Sequence, residues 1–294
     1  MRWLITGAHG QLGSDVQLVL AAAGVAPSDL RACSSAQLDV TDRSAISAAF
    51  DSFAPDVVIN AAAYTAVDQA ETDHDRAFAV NATGPALLAA EADRRAVKLI
   101  HVSTDYVFNG AGTRPYRETD PTDPQSVYGR TKLAGELAVR ELAPETSLVV
   151  RTAWVYGAVG SNFVKTMVRL ERTQETLSVV DDQIGSPTWS FDLATALVEL
   201  AQSPVTGTVL HCTNDGQTSW RGFAQAIFER LGADPERVQP TTTEQFPRPA
   251  PRPAYSVLDG QGWRSAGLTP MPSWSDALHR AFAAVGDQFR SASS

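Results

Sequence analysis

Arg2–Gly13 reads RWLITGAHGQLG, and the order of residue types in it decides the fold. A short apolar run closes at Thr6, glycines stand at Gly7, Gly10 and Gly13, and an apolar-periodic segment continues from Leu12 to Ala23. That order predicts a buried strand, a glycine turn and a helix. Positions without side chains let the backbone turn tightly and bring its N–H groups against a pyrophosphate at the helix N-terminus. A bare G-x-x-G-x-x-G is weak evidence, but this one sits between strand and helix, where the chemistry requires it.

Working outward, the same alternation repeats. Asp29–Cys33 reads as a second strand, Pro55–Asn60 (PDVVIN) as a third, Lys98–Ser103 (KLIHVS) as a fourth and Ser147–Thr152 (SLVVRT) as a fifth. Between them lie helical segments over Arg43–Phe53, which Thr41 or Asp42 caps, over Asp68 through Asn81 to Ala96, and over the stretch that starts at Ser126. Strands alternating with helices predict an α/β fold with a Rossmann-like, doubly wound parallel sheet. The second strand ends in Ser34 and Ser35. An acid there would bind ribose hydroxyls and repel a 2′-phosphate, and an arginine would welcome it. Neither is present, so both NADPH and NADH are expected as cofactors. Asp39, in Leu38-Asp39-Val40, is a candidate adenine contact, and the small residues Ala61, Ala62 and Ala63 before Tyr64 permit close backbone approach past the third strand.

Chemistry is expected at the carboxyl ends of the strands, where open α/β sheets bind ligands. Ser103, Thr104, Asp105 and Tyr106 stand just past the fourth strand, and Asn109–Gln125 is a Gly/Pro-rich loop of the kind that rims a site. Ser126–Glu136 (SVYGRTKLAGE) then places Tyr128 and Lys132 four residues apart, on one helix face. An ammonium beside a phenol favours the phenolate and lowers a reference pKa of about 10, which makes the tyrosine a proton donor to a carbonyl oxygen.

Beyond Thr152 the pattern loosens. Helices are expected over Asn162–Arg172, Phe191–Ala201, Trp220–Leu231 and Trp274–Val285, and short strands around Leu177–Val180 and over Thr208–Cys212, the latter able to rejoin the sheet. The five prolines of Pro240–Pro253 predict an extended surface segment, and the tail Arg290–Ser294 is expected to be disordered. The chain accordingly divides into a dinucleotide-binding domain, residues 1–153 plus about 188–213, and a smaller C-terminal α+β substrate-binding domain, about 154–187 plus 214–294.

Composition excludes other classes. A net charge of −9 over 294 residues, without a Lys/Arg cluster, argues against nucleic acid as a partner. No apolar run approaches the ~18 residues of a membrane span, and the first residues do not resemble a signal peptide. Cys33 and Cys212 lie in apolar, strand-like surroundings without metal-type spacing, so they read as buried free thiols in a reducing, cytoplasmic setting.

Taken together, TGAHGQLG, LDV, NAAAYTAVDQAE, HVSTDYVFNG, VYGRTKLAGE, RTAWVYG and DDQIGSPT resemble the extended short-chain dehydrogenase/reductases, and more narrowly their dTDP-4-dehydrorhamnose reductase branch. The resemblance runs from Arg2 to about Leu258 and implies NAD(P)H-dependent reduction of the C4 keto group of dTDP-4-dehydro-6-deoxy-L-mannose to dTDP-L-rhamnose. Residue by residue, it implies that Gly7, Gly10, Gln11 and Leu12 hold the pyrophosphate, Asp39 and Val40 the adenine, and that Ala62, Ala63 and Tyr64 line the cofactor groove. It makes Tyr128 the catalytic acid, Lys132 its partner and a ligand of the nicotinamide ribose, Thr104 the oxyanion donor, and Asp105 and Trp154 substrate contacts. Asn162, Gln183 and Arg252 are candidates for the nucleotide end. The resemblance admits a Mg2+ ion and a homodimer, although no compact acidic constellation is present and Asp15 is only a loose candidate ligand. Two alternatives share the fold: a nucleotide-sugar 4-epimerase or 4,6-dehydratase, and a non-catalytic regulatory subunit resembling that of methionine adenosyltransferase. A dehydratase commonly has an Asp-Glu pair after the active-site Thr, where this chain has Asp105 and Tyr106.

Overall fold

In the computed structural model, which describes residues 1–291, the first half alternates strand and helix. It comprises β1 (Trp3–Thr6), α1 (Gln11–Ala22), β2 (Leu30–Cys33), α2 (Arg43–Phe53), β3 (Val57–Asn60), α3 (Val67–Ala70), α4 (His74–Phe78), α5 (Gly84–Arg94), β4 (Lys98–Thr104), α6 (Val127–Leu142) and β5 (Ser147–Thr152). The second half is built from shorter pieces: β6 (Val155–Tyr156), α7 (Phe163–Thr173), β7 (Leu177–Val180), β8 (Ile184–Gly185), β9 (Thr188–Trp189), α8 (Ser190–Gln202), β10 (Thr208–His211), β11 (Thr218–Ser219), α9 (Trp220–Leu231), β12 (Val238–Thr241), α10 (Gln261–Ser265) and α11 (Trp274–Ser291).

Six strands form one parallel sheet in the order β2-β1-β3-β4-β5-β10. Its strands read as nearly unbroken apolar runs because helices cover both faces. Alternation along each strand sends Trp3, Ile5, Val57, Ile59, Ile100, Leu148 and Val150 towards α1 and α8. Leu4, Val58, Leu99 and Val149 face α2, α5 and α6 instead. The strand order reverses between β1 and β3, so the crevice at their carboxyl ends is the expected ligand position. As anticipated, the strand at Thr208 rejoins the sheet, pairing with β5 in parallel. A third apolar cluster, with Tyr156, Phe223, Ile227, Phe228 and Leu278 at its centre, packs α7, α9 and α11 beside the sheet.

The structure corrects three local expectations. The helical stretch from Asp68 to Ala96 is broken into α3, α4, a wide π turn over Ala79–Thr83, and α5. The break accommodates Asn81, which is fully buried: its Oδ1 accepts from the Tyr64 backbone N–H at 2.8 Å, and its Nδ2 donates to the Tyr64 carbonyl and to Thr131 Oγ1, both at 3.0 Å. The C-terminal helix runs past Val285, where the backbone leaves helical geometry, and includes Arg290 and Ser291 because buried Phe289 anchors it. The rest of the expected disordered tail, residues 292–294, lies outside the described residues. Finally, the extended surface segment expected from Pro240 starts in regular structure, since β12 pairs with β7 in parallel as far as Thr241.

Candidate active site

The turn after β1 is as tight as its sequence implies. Gly7 adopts φ +70°, and a Cβ there would come within 2.7 Å of the Ala61–Ala62 peptide beyond β3. A side chain at Gly7 would therefore close the crevice at the switch point. Here the chain opens a cleft of about 830 Å3, whose walls include Gly7, Gly10, Gln11, Leu12, Asp39, Val40, Ala62, Ala63, Tyr64, Thr104, Asp105, Tyr128, Lys132 and Trp154. The residues expected at the cofactor, and Thr104, Asp105, Tyr128 and Trp154 expected at the substrate, thus come together. Asp39 also orders its own turn, accepting from the Thr41 N–H at 2.9 Å and the Thr41 hydroxyl at 2.7 Å.

α6 supplies the central pair. Ser126 caps it by accepting from the Gly129 N–H at 3.1 Å, and the Val127 N–H is taken by Glu71 Oε1 at 2.8 Å. Gly129 lets the helix press on the turn after β4, since a Cβ would lie 2.3 Å from the Tyr106 carbonyl. This contact sets Tyr128 edge-on to Tyr106, with ring centroids 5.5 Å apart. At the far side, Glu136 and Arg151 form a buried bidentate pair that ties α6 to β5.

The electrostatics differ from the expected tyrosine–lysine couple. Lys132 is 2% exposed and donates to the Val102 carbonyl at 2.7 Å, with no hydrogen bond to Tyr128. Burial brings the lysine pKa down to about 8, against an opposing pull from Glu136. Loss of water around the Tyr128 ring pushes its pKa up to about 12, with the Thr104 hydroxyl pulling it down and Asp105 adding to the rise. Within the protein alone, then, desolvation outweighs any help from Lys132, whose ammonium is turned to a backbone carbonyl. Thr104 Oγ1 donates to Asp105 Oδ1 and accepts from the Tyr106 N–H at 3.2 Å. Asp105 is buried, which raises its pKa to about 6 against the opposing pull of the Ser256 and Thr104 hydroxyls. Ser103 Oγ and Thr152 Oγ1, also in the cleft wall, are buried without partners.

Trp154 forms the opposite wall. Its φ of +48° is unusual for a bulky residue, and its indole stacks on Trp220 at 3.5 Å and 5°. Gly185, the glycine of DDQIGSPT, is required beneath it, because a Cβ would lie 2.4 Å from the indole. Three weaker candidates do not line the cleft. Asn162 caps α7 and donates to Gln11 Oε1 at 2.9 Å, Gln183 donates to Thr243 Oγ1 at 3.0 Å, and Arg252 pairs with Asp68 at 2.9 Å. Asp15 is buried and accepts from the Ser190 hydroxyl, and the described residues contain no cluster of three or more His, Cys, Asp or Glu suited to a metal. No helix of the described residues is long and apolar enough to cross a membrane.

Residue-level reading missed Trp220, Asn60 and His101. Trp220 carried no signal beyond opening a helix. Asn60 and His101 did: a polar residue in a strand covered on both faces must find a buried partner.

The family model described as RmlD substrate binding domain matches residues 1–286. A dTDP-4-dehydrorhamnose reductase of Mycobacterium tuberculosis is 52% identical over 288 residues, spanning 96% of this chain and 93% of that protein. A dTDP-4-keto-6-deoxy-D-glucose reductase of Streptomyces niveus is 44% identical over 281 residues, spanning 96% of each. Among solved structures, dTDP-4-dehydrorhamnose reductase from Bacillus anthracis in complex with NADP matches with a TM-score of 0.90 at 39% identity, covering 96% of this chain and 98% of that one.

Proposed function

This chain belongs to the RmlD substrate-binding-domain family of dTDP-4-dehydrorhamnose reductases, and from that membership we propose that it reduces the C4 keto group of dTDP-4-dehydro-6-deoxy-L-mannose to give dTDP-L-rhamnose. The observation that carries the reading is the convergence of Thr104, Tyr128, Lys132 and Trp154 on one cleft that also contains the glycine turn.

The cleft suits a dinucleotide. Gly7 leaves room beside the Ala61–Ala62 peptide, Gly10, Gln11 and Leu12 present the start of α1 to the pyrophosphate, and Asp39 and Val40 flank the adenine end. When bound, the reduced nicotinamide supplies the hydride. NADPH and NADH are both accepted on this reading, because Ser34 and Ser35 add no charge and Ser34 is held by Gln37 Oε1 at 2.9 Å.

Tyr128 is held protonated by its raised pKa, and it can still give its proton to the developing alkoxide at C4, which is the stronger base. Thr104 orients the same oxygen once its hydroxyl turns from Asp105, a positioned donor aimed at growing charge. Lys132 holds the nicotinamide ribose and supplies positive charge beside the reacting groups, while the Trp154–Trp220 stack walls the sugar from water. The same reading assigns the cofactor to residues 1–153 with about 188–213, and the nucleotide sugar to about 154–187 with 214–294. It also places the protein in the cytoplasm, where reduced nicotinamide is available and the buried thiols Cys33 and Cys212 stay reduced.

Cofactor consumption with the 4-keto nucleotide sugar tests the proposal. Formation of a 4-keto product from dTDP-glucose would indicate a dehydratase instead. Preference for dTDP-4-keto-6-deoxy-D-glucose would keep the chemistry but place the specificity with the Streptomyces niveus relative.

A further inference from the structure

A buried polar chain reaches Lys132 from behind the cleft. Thr6 Oγ1 donates to Asn60 Oδ1 at 2.7 Å, and the Ala62 backbone N–H donates to the same oxygen at 3.2 Å. Asn60 Nδ2 lies 3.0 Å from His101 Nδ1, and His101 Nε2 lies 3.5 Å from Lys132 Nζ. None of the four side chains is more than 2% exposed.

The direction of every bond in this chain follows from one group that has no choice. A backbone N–H can only donate, so the Asn60 atom facing Ala62 is the carbonyl oxygen, and the amine faces His101. His101 Nδ1 must then accept. Burial, reinforced by the Lys132 charge, holds the His101 pKa well below its ordinary value, so the ring is neutral and its one proton sits on Nε2. That N–H points at Lys132 Nζ. An ammonium has no use for a donor, whereas a neutral amine has a lone pair to accept it.

We propose that His101 is a positioning residue for Lys132: locked by Asn60 as the Nε2–H tautomer, it faces the lysine with a donor, favours the neutral amine and so sets how readily Lys132 sheds its proton. Its catalytic consequence rests on the role proposed above for Lys132, but the tautomer does not. The other groups around Lys132 are accounted for. On α6, Tyr128 lies one turn before it and Glu136 one turn after, and the Glu136 carboxylate is held by Arg151 of β5 at 2.7 Å. From β4 come the Val102 carbonyl and His101 itself, and beyond its end Asp105 is engaged with Thr104. The Val102 carbonyl and Glu136 favour the ammonium, and the charge of Glu136 is shared with Arg151.

Two measurements decide the matter. In wild-type protein with 15N-labelled histidine, His101 should show the Nε2–H tautomer without titrating between about pH 6 and pH 9; the Nδ1–H form, or an imidazolium, overturns the proposal. Asn60→Asp keeps an acceptor for Thr6 and Ala62 but can only accept from Nδ1, so it should turn His101 to the Nδ1–H tautomer and give Lys132 an acceptor. The alkaline limb of kcat should then rise by about one pH unit, with the cofactor KM unchanged. A tautomer that stays at Nε2–H in this variant, or one that flips while the limb stays put, contradicts the proposal. If Asn60→Asp does not fold, the wild-type spectrum still decides the tautomer. Absence of turnover in the wild type would count against the proposed function and leave the spectrum as the test of the ring.

Discussion

Thr104 Oγ1 lies 2.9 Å from Asp105 Oδ1 and donates its hydrogen bond to that carboxylate, not to the open cleft. The proposed oxyanion donor is therefore held back by its own neighbour until a ligand competes for the hydroxyl. Thr104→Val keeps the shape and removes the donor, so kcat should fall by about 10² to 10³ with the cofactor Kd unchanged, whereas Thr104→Ser should retain most of the activity. Steady-state kinetics and cofactor titration of both variants check this.

Asp105 makes a separate prediction about stability. Burial raises its pKa from 3.8 to about 6, so the folded protein binds this proton more tightly than the unfolded chain does. Stability from this group is full below its unfolded pKa and is lost as pH rises through about 6. Asp105→Asn removes the loss. The variant should match wild type near pH 4 and become more stable than it by pH 7, by up to about 3 kcal/mol, as read by denaturant unfolding across that range.

For Lys132 the structure revises a simpler expectation from sequence. The pair spacing predicts a Tyr128 pKa lowered by the ammonium, yet burial leaves Tyr128 near 12 and Lys132 near 8. The alkaline limb of kcat is then assigned to Lys132 losing its charge. Lys132→Met should raise the cofactor KM, lower kcat and abolish the limb near pH 8, and a pH profile that keeps this limb would assign it elsewhere.

Gly185 offers a test of the sugar side. A methyl group there would meet the Trp154 indole at 2.4 Å and displace it from Trp220. Gly185→Ala should raise the KM for the nucleotide sugar about tenfold or more while cofactor affinity stays near wild type. Tryptophan fluorescence should report the disturbed stack.

The sequence made legible whatever is local. A glycine turn, apolar runs with a period of two and a tyrosine–lysine spacing on one helix face are all written within a dozen residues, so the sheet, the cleft and most of its walls could be anticipated. What stayed hidden is set by residues far apart in the chain. Trp154 meets Trp220, Asn60 meets His101, and Asn81 takes up its bonds with Tyr64 and Thr131, and no local pattern announces those pairings. The two-residue strands β6, β8, β9 and β11 escaped for the same reason, being too short to carry a period. The effect of Lys132 on the Tyr128 pKa was misjudged because spacing reports which face a side chain occupies, while the acceptor for its Nζ, the Val102 carbonyl, comes from the neighbouring strand.

The account stands or falls on the proton from Tyr128. The direct measurement is the rate of NADPH consumption with dTDP-4-dehydro-6-deoxy-L-mannose, compared between wild type and Tyr128→Phe at matched cofactor occupancy. The account predicts stoichiometric formation of dTDP-L-rhamnose by the wild type, and a fall of about 10² to 10⁴ in kcat for the variant with cofactor still bound. A Tyr128→Phe protein that turns over near the wild-type rate would show that another group supplies the proton and would contradict the mechanism built on α6.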